Sequence, residues 1–270
     1  MGGCGLPAPV SVVSNLNTEV EMAKRRKTVV AGRLVFETAY TAALPSDAEH
    51  VRQAKMKMSS AARRRLNLKA ACRQLELLIA ANFTRRDLVA TLTYDDEHLP
   101  QNRAEAVKNL KKFFRALRET RRRQELPDLK YIYVTESKHE HGRWHHHVIL
   151  NGTGNDMETI RSLWTYGEQV NIEPLDDTQY RALAEYLAKE PREAGSSNGK
   201  RMWTPSKGLT RPTVQSDWID DRATLEPPPG ATVLESVTER NEWGEYVYLK
   251  YLLPDPKPRR CRPSRRKKNE

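Results

Sequence analysis

The chain has few cysteines and no long apolar segment. Its three cysteines, Cys4, Cys72 and Cys261, are far apart, which excludes a disulfide framework and a CxxC zinc site and is typical of a reducing compartment. It has no run of about 18 apolar residues, and its N-terminus carries neither a signal-peptide core nor a myristoylation signal. A GxxxxGK(S/T) phosphate loop is also missing, which argues against an attached ATPase or helicase. We therefore expect a soluble, intracellular protein that does not bind membranes.

Positive charge is what the chain has in excess. It contains 46 Lys and Arg against 35 Asp and Glu, a formal net charge of +11. Such an excess favours a polyanionic partner, most commonly nucleic acid. The last fourteen residues hold eight Lys or Arg and one Glu, so we expect a disordered basic tail over 257–270. Residues 1–60 are weakly patterned and are expected to form a basic N-terminal extension, with a possible strand over 28–41.

Five of the seven histidines fall between residues 139 and 147. His145 and His147 are two apart in a β-type run, so their imidazoles should project from the same face of a strand. Residues 131–136 are also β-type, and the short link between the two runs predicts a hairpin that places Glu136 opposite the histidine pair. Two imidazoles and a carboxylate predict a metal site, although an isolated His-x-His pattern is more often structural.

The order of predicted elements is β-α-β-β-α-β, followed by a helix. A helix over 61–79 precedes them. The elements of this order are a strand over 88–94, a helix over 101–123, the histidine hairpin over 130–151, a short helix opened by a capping box at 155–158, a strand over 169–173 and a final helix over about 177–189. This order predicts an α+β fold, with a ferredoxin-like antiparallel sheet and helices packed on one side, plus terminal extensions. The Pro-rich run 226–230 marks a boundary, and 231–256 is expected to be an accessory β-hairpin.

The last of these helices carries a tyrosine at the margin of its packed face. Leu183 and Leu187 belong to its buried stripe, whereas Tyr186 lies about 90° from the centre of that stripe. Lys189 is three residues further on and shares its side of the helix. By itself, a helical tyrosine with a nearby lysine is usually structural.

Together these motifs resemble those of the HUH endonucleases, specifically the rolling-circle replication initiators of bacterial plasmids and phages. The Thr-rich end of the strand at 90–95 is similar to their first motif, residues 142–149 to their histidine motif, and residues 186–189 to their Tyr-x-x-Lys motif. The basic segment 200–207 also resembles the one that follows the tyrosine in prophage-type initiators. The similarity spans roughly residues 61–215, which are expected to form the HUH endonuclease domain.

The resemblance implies an enzyme that nicks and joins single-stranded DNA to start rolling-circle replication. Glu136, His145 and His147 would bind Mg²⁺ or Mn²⁺. Tyr186 would attack the scissile phosphate, giving a 5′-phosphotyrosine and a free 3′-OH, and Lys189 would stabilise the charge. The substrate would be single-stranded or hairpin origin DNA, the partners a host helicase and polymerase, and the location the cytoplasm of a bacterial host cell.

Basic and aromatic side chains outside this constellation are candidates for holding the DNA backbone and stacking bases. They are Arg143, Lys200, Arg201, Trp203, Lys207 and Arg211. Trp218 and the cationic helix over 101–123 are further candidates. For each of them, a solvated basic face or a core aromatic is an equally good interpretation.

Several alternatives stay open at this point. The same motifs occur in relaxases and single-strand transposases, and the fold could also be a non-catalytic nucleic-acid-binding module with vestigial histidines. A cupin-type metal enzyme is disfavoured by the long helices. His146 stands where the family usually has a bulky hydrophobic residue, and it would become a ligand only if the strand register slipped by one. Tyr180 lies about 120° round the helix from Tyr186, so a one-tyrosine enzyme is expected.

Overall fold

The computed structural model describes residues 22–43, 60–137, 143–193, 202–220, 222–241 and 244–255. These residues form four helices and ten strands. The helices are α1 (Ser60–Asn82), α2 (Arg103–Arg123), α3 (Asp156–Leu163) and α4 (Tyr180–Glu193). The strands are β1 (Met22–Ala31), β2 (Leu34–Ala43), β3 (Leu88–Thr93), β4 (Tyr131–Ser137), β5 (Trp144–Leu150), β6 (Val170–Pro174), β7 (Thr204–Pro205), β8 (Thr213–Ile219), β9 (Thr232–Asn241) and β10 (Gly244–Leu252). None of the helices in the described ranges is long and apolar enough to span a bilayer.

The strands form two antiparallel five-stranded sheets. The histidine sheet has the order β6-β3-β5-β4-β7, and the outer sheet has the order β8-β1-β2-β10-β9. In the histidine sheet, β5 is antiparallel to both β3 and β4, so β3 and β4 run parallel with β5 between them. The α2 crossover joins this pair, and the α3 crossover joins β5 to β6 in the same manner. This is the split βαβ arrangement predicted from the element order, and the predicted α+β class is confirmed.

Helices cover both faces of the histidine sheet. α2 and α3 pack on one face, as predicted, in a core that includes Leu110, Phe114 and Val148. The opposite face, with Ile132 and Ile149, packs in a second core with α4 and α1. α2 begins at a well-formed cap, because the Asn102 side chain accepts a hydrogen bond from the backbone N–H of the third helical residue.

The outer sheet is assembled from segments that are remote in sequence. β2 lies between β1 and β10, and Leu34 pairs with Leu252. Leu34 and Phe36 are buried against Leu75 and Ile79 of α1, which connects this sheet to the α4 layer. The result is four layers, in the order α2 and α3, histidine sheet, α1 and α4, and outer sheet.

The turn between β1 and β2 fixes the position of α1. Gly32 has a φ of 58°, in the left-handed region, and a Cβ placed there would lie 2.3 Å from the carbonyl oxygen of Ala80. Glycine is therefore required both by the backbone conformation and by the close approach of the helix. A buried ion pair between Glu76 and Lys250 holds α1 to β10 further along the sheet.

The start of α3 differs from the prediction. The expected capping box at 155–158 is wrong, because the Asn155 side chain makes no capping hydrogen bond. The carboxylate of Asp156, the first helical residue, instead holds the preceding loop: it accepts from the Thr153 hydroxyl at 2.8 Å and from the backbone N–H of Gly154 at 3.2 Å. It also receives the buried guanidinium of Arg121 at 3.0 Å, so this Arg of the cationic helix is a core residue.

Candidate metal centre and active site

The strand register brings three ligand-type side chains together on one face of the histidine sheet. Glu136 of β4 pairs directly with His145 of β5, and His147 is two residues further along β5. Since alternate residues of a strand share a face, all three side chains point toward the α4 side of the sheet. The predicted hairpin geometry is therefore present, although its connecting residues 138–142 lie outside the described part of the chain.

The three side chains are close enough to share one ion. His147 Nε2 lies 2.8 Å from Glu136 Oε1, and His145 Nε2 lies 3.7 Å from the same oxygen. One ligand atom from each residue falls within 4.8 Å of the others. Glu136 and His147 are buried and His145 is half-buried, so the site is shielded without being closed. Imidazole nitrogen with carboxylate oxygen is a donor set that fits a divalent metal ion.

Hydrogen bonds on the far side of each ring orient the histidines. His145 Nδ1 lies 3.2 Å from the carbonyl oxygen of Arg143, which can only accept, so Nδ1 donates there and Nε2 is the nitrogen that faces Glu136. His147 Nδ1 is 3.1 Å from the hydroxyl of Thr91. Such outer contacts fix ring orientation and tautomer in metal sites. Both Nε2 atoms are thus directed toward the carboxylate before any ion is considered.

Tyr186 of α4 completes the cluster. Its hydroxyl oxygen lies 3.3 Å from His147 Nε2, and the two rings are 5.0 Å apart between centroids. The tyrosine is 54% exposed, although it belongs to a helix whose neighbouring residues Ala184 and Leu187 are buried. A tyrosine at the margin of the packed face therefore presents its hydroxyl to the metal-type cluster and to solvent at once.

An open cleft of about 930 Å³ surrounds these residues. The exposed Arg143 lines it, donating to the Tyr94 carbonyl oxygen at 3.2 Å and pairing with Asp96 at 2.6 Å. The wall formed by the loop after β3 is acidic, and Glu168 lines the cleft as well. The cleft thus has room for a polymer segment and has a basic residue at its edge.

Residues 87–191 match the family model of the replication-associated protein ORF2/G2P. The matched region runs from the start of β3 into α4 and includes Glu136, His145, His147 and Tyr186. This similarity is consistent with a replication initiator. Among curated proteins and among solved structures, none matches the chain.

Two residues left open by the sequence are buried away from the cluster. His146 faces the α2 side of the sheet, where its two ring nitrogens each lie 2.8 Å from a hydroxyl, of Tyr94 and of Thr135. Burial, with a smaller contribution from the neighbouring histidines, lowers the pKa of His146 to about 3, so its ring is neutral at physiological pH. Tyr180 is 3% exposed and donates to the carbonyl oxygen of Phe83, and burial raises the pKa of its phenol.

The predicted DNA-binding residues are spread over the molecule rather than gathered in the cleft. Of those in the described part of the chain, Arg143 is the one that lines the cleft. Trp203 is half-buried and packs against the core shared by α1 and α4. Lys207 and Arg211 are exposed, but the segment that carries Lys207 pairs with the start of β4, about 17 Å along the strand from Glu136. Lys200, Arg201 and the side chain of Lys189 lie outside the described part of the structure.

Sequence reasoning missed the residues that support the ligands. Thr91 pairs with His147 in the register of β3 and β5, and Asp96 holds the guanidinium of Arg143. The alternation of β3 marks Thr91 and Thr93 as sharing a face, but only the pairing of β3 with β5 shows that this face is that of the histidines. The exposed basic residues of α2, by contrast, lie on the other side of the sheet from the cluster.

Proposed function

We propose that this protein nicks and rejoins single-stranded DNA through a tyrosine nucleophile, and that this reaction initiates rolling-circle replication of a phage or plasmid. The family match supports a role in replication initiation. The finer proposal depends on one observation, the position of the Tyr186 hydroxyl 3.3 Å from His147 Nε2 within the Glu136–His145–His147 cluster. A nucleophile beside a metal-type site in an open cleft suits phosphoryl transfer.

In the proposed reaction the Tyr186 oxygen forms a bond to the scissile phosphorus, and the bond from phosphorus to the 3′ oxygen breaks. The phenol proton can leave to solvent, because the side chain is half exposed. The 3′ oxygen takes up a proton and becomes the free 3′-OH, which can prime synthesis. The phosphodiester energy is kept in the 5′-phosphotyrosine, so rejoining needs no nucleotide cofactor.

Glu136, His145 and His147 are proposed to hold Mg²⁺ or Mn²⁺. When bound, the ion would polarise the scissile phosphate as a Lewis acid. The orienting hydrogen bonds at Nδ1 of both histidines fit this role, since they leave Nε2 directed into the site. We propose that Lys189, in the next turn of α4, lowers the cost of the negative charge that develops on the phenolate or the phosphate.

The proposed substrate is unpaired at the nick, as in the loop of a hairpin origin, because a duplex would keep the scissile phosphate out of reach of a helix-borne tyrosine. Arg143, exposed at the edge of the cleft, is proposed to contact the DNA backbone. A host polymerase would then extend the free 3′-OH, while a host helicase separates the two strands. These partners follow from the proposed reaction.

Adduct trapping tests the proposal. The protein is incubated with a pool of single-stranded and hairpin oligonucleotides and Mn²⁺, and the products are separated on a denaturing gel. We expect a covalent protein–DNA band that is lost in Tyr186→Phe and in the His145→Ala/His147→Ala double variant. Tyr180→Phe, which changes the buried tyrosine of the same helix, is the matched control and should keep the band.

The outcomes separate the competing functions. A band that survives in Tyr186→Phe would remove the assigned nucleophile. DNA binding without any band, over a pool rich in hairpins, would favour the non-catalytic module. If a band does form, sequencing the attached DNA would define the nick site and distinguish a replication origin from the end of a mobile element.

A further inference from the structure

The outer sheet carries an unusual row of side chains on the face that also packs against α1. The register aligns Trp218 of β8, Arg25 of β1, Tyr40 of β2 and Tyr246 of β10 side by side. Lys27, two residues along β1 from Arg25, belongs to the same face. We call these five residues the aromatic–basic face.

This face lies beside α1 and is not buried by it. Near the Gly32 turn the sheet is covered by the C-terminal half of α1, and the Arg73 guanidinium of α1 lies over the Tyr248 ring at 5.6 Å. Two residues further along the strands from Tyr248, away from the Gly32 turn, Trp218 is 42% exposed and Tyr246 is 40% exposed. Large aromatic side chains left at the surface of a sheet, rather than in its core, are a typical feature of a binding face.

The charges of the aromatic–basic face are available for a partner. Among the described residues, no carboxylate forms an ion pair with Arg25 or Lys27. Arg25 instead donates to the Ser216 hydroxyl at 2.9 Å and lies over the Trp218 ring at 5.5 Å. The opposite face of the same strand differs, since Lys24 there is paired with a carboxylate, that of Glu245.

We propose that the aromatic–basic face binds single-stranded DNA outside the cleft. Exposed aromatic rings stack on unpaired bases, and neighbouring basic groups contact the phosphates, without a need for sequence readout. Trp218 and Tyr246 are three strand spacings apart, about 14 Å, which is long enough for several nucleotides. Glu239 on the edge strand β9 pairs with Tyr246 at the end of the row. Its negative charge would repel phosphates and so limit how far the bound DNA extends on that side.

The position of α4 relates this face to the cleft. α4 starts at the C-terminal end of α1, where the Tyr180 hydroxyl donates to the Phe83 carbonyl oxygen. Arg181, the next residue, is 3.9 Å from Glu76, about two helical turns back along α1. α4 therefore extends toward the N-terminal half of α1 as it leads to Tyr186, and the aromatic–basic face flanks that same half. This arrangement favours a single strand of DNA that contacts both the cleft and the aromatic–basic face.

The inference goes beyond the proposed nicking reaction, because none of the five residues lines the cleft. Its test measures binding rather than chemistry. Fluorescence anisotropy of labelled oligo(dT) of about 12 nucleotides, a length within the range of known single-strand sites, is recorded with the full chain in EDTA. EDTA removes divalent ions, so any nicking is suppressed while binding is measured.

We expect Trp218→Ala and Tyr246→Ala each to weaken binding about tenfold, as the loss of one stacked base requires. Arg25→Ala should reduce the slope of log affinity against log salt by about 0.7 for one lost phosphate contact. Arg26→Ala is the matched control, because Arg26 is the next residue on β1, faces the other side of the sheet and should leave affinity unchanged. Trp218→Phe keeps a ring and should retain most of the affinity.

Unchanged affinity in the Trp218→Ala/Tyr246→Ala double variant would overturn the proposal, and so would an equal loss in Arg26→Ala. Photocrosslinking of wild-type protein to iododeoxyuridine oligonucleotides provides a test that does not depend on whether a variant folds. Crosslinks in peptides with Trp218 or Tyr246 would support the face, whereas crosslinks confined to cleft residues would overturn it. If the wild-type protein forms no covalent adduct but its binding depends on Trp218, the nicking proposal fails and this one stands.

Discussion

Replacing Thr91 by valine should weaken metal binding although Thr91 is not itself a ligand. The Thr91 hydroxyl lies 3.1 Å from His147 Nδ1, on the far side of the ring from Glu136. Valine has the same branched shape, so the strand and its packing should be kept. The substitution removes the contact that orients the imidazole and fixes which nitrogen is free to coordinate.

The size of the effect follows from the role of such outer contacts. Losing one typically costs 10- to 100-fold in metal affinity, or about 1.4 to 2.7 kcal/mol. We expect the lower half of this range, because His147 Nε2 is also held 2.8 Å from the Glu136 carboxylate, which limits rotation of the ring. The stability of the protein should change by less than about 1.5 kcal/mol, the ordinary net value of one hydrogen bond.

Isothermal titration of the metal-free protein with Mn²⁺ measures this difference directly. Thr93→Val is the matched control, because Thr93 lies on the same strand and face but its hydroxyl donates to the Gln169 carbonyl oxygen at 2.6 Å. Wild-type affinity in Thr91→Val would refute the orienting role. An equal loss in both variants would show that the effect comes from β3 as a whole.

Three further predictions concern stability and are measured by urea unfolding. His146→Ala should lower the free energy of unfolding by about 2 to 4 kcal/mol, because it leaves a cavity and removes two hydrogen bonds, and it should leave Mn²⁺ affinity nearly unchanged. A variant of full stability that has lost Mn²⁺ affinity would show that His146 is a metal ligand. Gly32→Ala should cost about 2 kcal/mol or more, because of the left-handed φ and the clash with Ala80, and a neutral result would contradict that close approach. Lys250→Met should lower the free energy of unfolding by about 3 kcal/mol, the lower end for breaking a buried ion pair, because the Arg181 guanidinium 3.9 Å away is left as a weak partner for Glu76. Adding Glu76→Leu should recover most of the loss.

The metal-type cluster was predictable because its signals are local. The two-residue spacing of His145 and His147 fixes their common face, and a short link to the preceding strand fixes Glu136 as their neighbour. The helix with Tyr186 was predictable in the same way, from a 3.6-residue pattern. Placing its hydroxyl beside His147 required the packing of α4 on the sheet, which the sequence supported only through resemblance to a family.

What the sequence could not show depends on contacts between remote residues. Periodicity marked residues 28–41 and 231–253 as β-type, but nothing in either segment specifies that Leu34 pairs with Leu252. Arg121 is followed in the sequence by exposed cations, so the sequence alone places it on the surface of α2. Only the fold shows that Asn151 and Asp156 surround its guanidinium. Local patterns give the element and its buried side, whereas the identity of the partner is a property of the whole chain.

The pairing of β2 with β10 has a consequence for biosynthesis. On the ribosome, the β1–β2 hairpin emerges early, and the strand that covers its edge follows about 200 residues later. At typical elongation rates that interval is roughly 10 to 40 seconds, during which the β2 edge has no permanent cover. The nascent chain should therefore recruit chaperones until β10 is released, and its yield in a cell-free extract should depend on them more than its final stability suggests.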